Sequence, residues 1–182
     1  MPYAVAFEPK KLSQNLWRRV RSAVARTWLQ IRVDLLGGLG GELSPSPGRI
    51  FIVGPSHTFL ALAEAINAAF ARWDLSHLHE FELAGGRRIG FVDPDRFEDD
   101  EPVEDHAAVK VAQAVAAGDE FSYVFDFGDR WQHRCRVLAE KADPRQEWGP
   151  GPLPRQPVAI WGWGVIPDQY GRRSAADLEL EL

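Results

Sequence analysis

Between Phe121 and Val137, apolar residues occupy every second position on both sides of a short polar break. Phe121, Tyr123 and Phe125 alternate with Ser122, Val124 and Asp126. After Phe127-Gly128-Asp129-Arg130 the alternation resumes with Trp131, His133, Cys135 and Val137. A repeat of two is that of a strand, whose successive side chains point to opposite faces. Two such runs joined by a short turn predict an antiparallel hairpin with one heavily aromatic face. Rings in that alternation most often form core.

The rest of the chain mixes strands with helices. Trp28 to Leu35 also alternates, with Ile31, Val33 and Leu35 on one side. Arg49 to Val53 and Val158 to Trp163 read as short strands, and Leu78–Leu83 and Arg87–Val92 flank Ala84-Gly85-Gly86 as a second hairpin. Leu12, Leu16, Val20 and Val24 form one stripe of a helix over Lys11–Arg26. Phe59, Leu62, Ile66, Ala69 and Phe70 do the same over Thr58–Arg72, with Ser56 or Thr58 as its cap. A third helix is expected from Asp105 to Ala117, closed by Gly118. Gly37–Gly41, the acidic stretch Asp93–Asp105 and Ala142–Pro157 read as loops, and Leu178–Leu182 as a frayed tail. The Gly37–Gly41 run lacks the lysine ending of a phosphate-binding loop.

With no regular strand-helix-strand repeat, the expected class is α+β: a largely antiparallel or mixed sheet of about five to seven strands with two or three packed helices. Residues 1–27 are expected to be an N-terminal helical extension, 28–172 the domain and 173–182 a tail.

Composition narrows the function classes. No apolar run approaches the ~18–20 residues of a membrane span, and the N-terminus lacks a signal-peptide pattern. The cytoplasm is therefore the expected compartment, with no membrane partner. Cys135 is the one cysteine, so an internal disulfide and a cysteine-based zinc site are excluded, and a small buried hydrophobe is the expected role. A net charge of −5 argues against broad binding to nucleic-acid phosphates. One run is nevertheless basic: Lys10, Lys11, Arg18, Arg19, Arg21 and Arg26, with no acidic residue among them. Arg18, Arg19, Arg21 and Arg26 are the candidates for nucleic-acid or anion contacts, although a solvated helix face is the simpler reading.

Two segments carry more specific information: Trp73-Asp74-Leu75-Ser76-His77-Leu78-His79-Glu80-Phe81, and Tyr123-Val124-Phe125-Asp126-Phe127-Gly128-Asp129-Arg130-Trp131-Gln132-His133. Together they resemble the signatures of the plasmid pRiA4b ORF-three-like family, over about Trp28 to Arg172. Ile166-Pro167-Asp168-Gln169-Tyr170-Gly171-Arg172 stands where many members carry a proline-acidic-glycine segment, in divergent form. The resemblance implies a small α+β domain often encoded on mobile elements, with no established activity, to which the N-terminal helix is an addition. Asp126-Phe127-Gly128 also matches a kinase tripeptide, but neither the lysine strand nor the catalytic loop accompanies it.

The polar candidates are His77, His79, Asp126, Asp129 and His133. If the two hairpins are adjacent, His79, Asp126 and His133 converge, and Asp129 stands beside them. Imidazole with carboxylate suits acid–base chemistry, or a divalent metal held by His77, His79, Asp126 and His133. The structural alternative has the aspartates capping the turn and the histidines bonded within the sheet. Trp131, Trp161, Trp163 and Tyr123 are the candidate ligand-stacking rings. Ser56-His57 lacks an acidic partner and a nucleophile elbow, which argues against a serine hydrolase. The expected function is a non-catalytic binding or accessory module, acting on a protein partner or by self-association, with nucleic acid less favoured. The alternative is a metal-dependent or acid–base, hydrolase-like enzyme centred on His79, Asp126 and His133. No cofactor is evident, and a divalent metal is the single candidate.

Overall fold

The computed structural model describes residues 28–93, 102–148 and 151–172. The Lys11–Arg26 helix, with Arg18, Arg19, Arg21 and Arg26, and the Leu178–Leu182 tail lie outside the described residues.

The chain runs β1 (Trp28–Gly38), β2 (Gly41–Glu42), β3 (Gly48–Val53), α1 (Phe59–Ala69), β4 (His79–Leu83), β5 (Arg87–Gly90), β6 (Val103–Asp105), α2 (Val111–Ala114), β7 (Glu120–Phe125), β8 (Trp131–Ala142), α3 (Pro144–Trp148) and β9 (Val158–Trp163). The nine strands among the described residues belong to one sheet, in the order β6-β5-β4-β7-β8-β1-β3-β9, with β2 folded back on β1. Neighbours are antiparallel except β5 and β6. The fold is thus α+β with a mixed sheet, but nine strands exceed the five to seven expected. Two of the additions are minimal: β2 has two residues at the end of the glycine run, and β6 has three at the end of the acidic stretch. Neither is long enough to show a repeat.

The aromatic hairpin forms as expected, with Phe121↔Cys135, Tyr123↔His133 and Phe125↔Trp131 in register. Its apolar face lies beneath α1. Thr58 caps that helix by accepting the Ala61 N–H at 3.2 Å, and Phe59, Leu62, Ala63 and Ile66 face the sheet. There they join Ile31, Val33, Leu35, Phe51, Phe81, Tyr123 and Cys135 in one core. Each large apolar side chain fully buried this way stabilises the fold by roughly 1.5–3 kcal/mol. Burial also raises the Cys135 thiol above its ordinary range, which keeps it protonated and unreactive.

The expected Asp105–Ala117 helix is reduced to the single turn α2. Val109 O accepts the Phe59 N–H and His57 O accepts the Val111 N–H, so this stretch is tied to the start of α1 as a β-bridge. Those backbone bonds are incompatible with a continuous helix through the same residues. The opposite face of the sheet is charged. Arg32 forks onto Asp34, Arg88 onto Glu80, and Arg136 meets Glu120; Arg87 and Glu104 pair at the β5–β6 edge. The exposed Arg136–Glu120 pair contributes little stability, whereas the Asp34 carboxylate is buried and Arg32 supplies its hydrogen bonds.

Candidate functional site

The turn between β7 and β8 explains much of the second signature. Asp126 takes a left-handed backbone with φ 60°, which aspartate tolerates better than most residues. Its Oδ1 accepts the Gly128 and Asp129 N–H groups at 2.9 and 3.2 Å. Its own N–H donates to Leu78 O at 2.9 Å, tying the turn to the first signature. Asp129 contributes its carbonyl, which accepts the Leu39 N–H at 2.7 Å. Trp131, 2% exposed, lies flat against Gly38, where any Cβ would collide with the indole.

The remaining carboxylate oxygen of Asp126 faces His77 rather than His79. His77 Nδ1 lies 3.3 Å from Asp126 Oδ2, and His77 Nε2 lies 3.1 Å from the Tyr170 hydroxyl. That hydroxyl donates to Asp74 Oδ2 at 2.6 Å. Asp74 also accepts from the Ser76 hydroxyl and N–H. The Ser76 hydroxyl first, then Tyr170, hold the Asp74 carboxyl down at about 2, and Asp74 in turn pushes Tyr170 up to about 12. Asp74, His77, Tyr170 and Asp126 thus form one network at the surface, built from three segments far apart in the chain.

The third segment is clamped from beneath. Gln169 is fully buried, its Oε1 accepts the Trp73 and Asp74 N–H groups, and its Nε2 donates to Asp74 O. Arg72, also buried, donates to Phe70 O and Pro167 O and stacks 3.9 Å from the Trp131 ring centroid. Desolvation lowers the Arg72 guanidinium to about 10, partly offset by Asp168. Above this clamp Trp73, 53% exposed, meets Tyr170 edge-on and carries the Arg172 guanidinium over its face at 4.5 Å. Arg172 is held there by Asp168. Leu75, Leu78 and Phe127 are exposed on the same loops.

The other candidates lie elsewhere. His133 is 1% exposed in the core, where desolvation above all, reinforced by Arg72, lowers it to about 3; the backbone of Tyr123 and Trp131 offsets part of this. Tyr123 stands between His79 and His133, with ring centroids 5.8 Å and 5.3 Å away, so the two histidines do not meet. Its hydroxyl donates to Asn67 inside the core, which removes Tyr123, like Trp131, from the ligand-stacking set. His79 Nε2 pairs instead with His106 Nδ1 at 2.9 Å, and desolvation, then His106, lower it to about 4. His57 accepts the Gly54 N–H and bonds Pro154 O, so it is a backbone brace rather than a base for Ser56. Among the described residues, no three His, Cys, Asp or Glu side chains are grouped to hold a metal ion. At His77 the two carboxylates lie off opposite ring nitrogens, so they cannot converge on one ion with it. Trp161 is 68% exposed, whereas Trp163 lies flat on Gly48 beneath Arg32.

Sequence reasoning missed Asp74, Tyr170, Gln169, Arg72 and His106. The first three fall inside the segments that carried the resemblance, but no local pattern pairs residues 96 positions apart.

A single mixed sheet under one main helix, with three signature segments joined at one corner, defines a class of small α+β domain. The chain belongs to the plasmid pRiA4b ORF-3-like protein family, whose model matches residues 29–155. It is similar to the uncharacterized protein y4hQ of Sinorhizobium fredii, 37% identical over 78 residues. That match covers 42% of this chain and 38% of the relative, so the chain spans well under half of that protein. Among solved structures it is similar to a protein of unknown function, MM3350, from Methanosarcina mazei, at 25% identity and a TM-score of 0.60. That likeness covers 85% of this chain and 80% of the other. No helix among the described residues is long and apolar enough to cross a membrane.

Proposed function

We propose that this domain is a non-catalytic binding module whose recognition surface is the corner around Trp73, Leu78, Phe127 and Tyr170. The observation that carries this reading is the state of His77. Both ring nitrogens already have a polar partner, Asp126 at Nδ1 and Tyr170 at Nε2, and the Tyr170 hydroxyl donates to Asp74. A general base needs a nitrogen open to the proton it abstracts, and here neither is open. The network instead fixes the loops on which exposed apolar side chains sit. Exposed apolar groups gathered in this way, rimmed by polar ones, characterise interaction surfaces, and an aromatic anchor on a rigid support is their usual energetic centre. The association with mobile elements implied by the resemblance, and a cytoplasmic setting, belong to the same proposal.

The test is affinity capture from extract of the host cell, comparing the native chain with a Trp73→Ala/Leu78→Ala double variant. The double variant should lose specific partners while its unfolding midpoint stays unchanged. Recovery of the same partners by both proteins would overturn the assignment.

A further inference from the structure

The two edges of the sheet are not alike. At one end β6 is three residues long and carries Glu104 and Asp105. Short length and charge are the devices by which proteins stop an edge strand from templating another chain. At the other end β9 has six residues, Val158-Ala159-Ile160-Trp161-Gly162-Trp163, with no charge and no proline. Among the described residues it pairs with β3 alone. Its one irregularity is a bulge at Ile160, where Ile50 faces Trp161 and Phe51 faces Ala159. The bulge bends the first half of the strand and leaves the Trp161–Trp163 half regular. A shallow groove runs along Ala159–Gly164, floored in part by Arg49. Beside it Trp161 is, among the described residues, the most exposed of the large rings, and Val165 just beyond the strand is 89% exposed.

We propose that β9 is a self-association edge, on which a second copy of this chain adds its own β9 antiparallel and continues the sheet across a two-fold axis. The outer backbone N–H and C=O groups of a terminal strand fit another strand as the occupant, although the Trp163 carbonyl already accepts from Arg49. The absence of charge specifies this strand: paired with itself antiparallel, it places no like charges opposite one another, the usual obstacle to self-pairing. Trp161 and Trp163 lie on one face of the strand, opposite Ile50 and Gly48. The two-fold therefore brings the Trp161 indole of each copy within stacking reach of the other copy's indoles. The blunted β6 edge cannot accept β9, so the assembly closes as a dimer instead of growing into a filament. This surface lies at the opposite end of the sheet order from β6 and does not involve Trp73, so the inference is independent of the binding corner.

Analytical ultracentrifugation of the full chain over a range of concentrations tests it. The native chain should dimerise reversibly. Trp161→Lys should weaken the dimer by about tenfold or more, with an unchanged circular dichroism spectrum, whereas Leu75→Lys should leave it intact. A native chain that stays monomeric at the highest concentration, or a Trp161→Lys variant that associates like the native chain, overturns the proposal. If Trp161→Lys fails to fold, amide exchange of the native chain decides: residues 158–163 should gain protection as concentration rises, and concentration-independent exchange overturns it.

Discussion

The strands of the β7–β8 hairpin and the turn that joins them are adjacent in sequence and opposite in role. Along the strands, Tyr123, Trp131 and His133 are sealed beneath the helix layer. Their polar atoms are bonded internally or desolvated. At the turn, Asp126 reaches outward to His77 and, through it, to Tyr170 and Asp74. One signature thus serves two ends: the strand half holds the core, and the turn half assembles an exposed corner from three segments. The difference teaches that a histidine or tryptophan in a family signature has no role until its face is known.

The largest effect should come from the buried half. Trp131→Ala removes a fully packed indole and the ring that Arg72 stacks on, and should cost about 3–5 kcal/mol in denaturant melts. Trp73→Ala, at the exposed half, should change stability by about 0.5 kcal/mol or less. Comparable losses from the two would erase the contrast.

Acid should act through the buried half as well. His133 at about 3 and His79 at about 4 both lie below the ordinary histidine value of 6.5. The unfolded chain therefore binds more protons than the native one between those values and 6.5. Stability should fall as pH drops through that window, by a few kcal/mol in total. Replacing His133 with Phe should remove about half of that slope between pH 6.5 and about 4, because His79 contributes equally there. An unchanged slope would mean that His133 protonates without unfolding.

The clamp lies between the two halves. Gln169→Ala leaves the Trp73 and Asp74 N–H groups without their acceptor, and should cost about 1–3 kcal/mol. It should also free Tyr170 from Asp74. Asp74→Asn should have the smallest effect on stability but a sharp local one: the Tyr170 phenol should fall from about 12 towards its ordinary value near 10. Phenolate absorbance during an alkaline titration reads this directly.

How far these features could be read in advance depended on the range of the interactions behind them. The hairpin, β1 and α1 carried their own repeat, and they and the short apolar strand β9 emerged within a few residues of the expected bounds. The Asp105–Ala117 helix failed because Val109 and Val111 bond to the start of α1 instead of to their own turn. Trp131 and Trp161 look alike in sequence, both large rings in expected strands. Only their places in the sheet, under the helix layer or on the outermost strand, make one core and the other surface. The His79–Asp126–His133 grouping assumed that signature histidines face one another, but Tyr123 fills the space between His79 and His133. The network that does form depends on Tyr170, whose partner Asp74 lies 96 residues earlier.

Nitrogen-15 NMR of the His77 ring tests that network most directly. In the native chain both ring nitrogens should carry the signature of hydrogen bonding. Tyr170→Phe should perturb Nε2 and leave Nδ1 in place, and Asp126→Asn should do the reverse. If neither substitution moves the His77 nitrogens, the three segments do not meet at this histidine, and the exposed corner is not built as described.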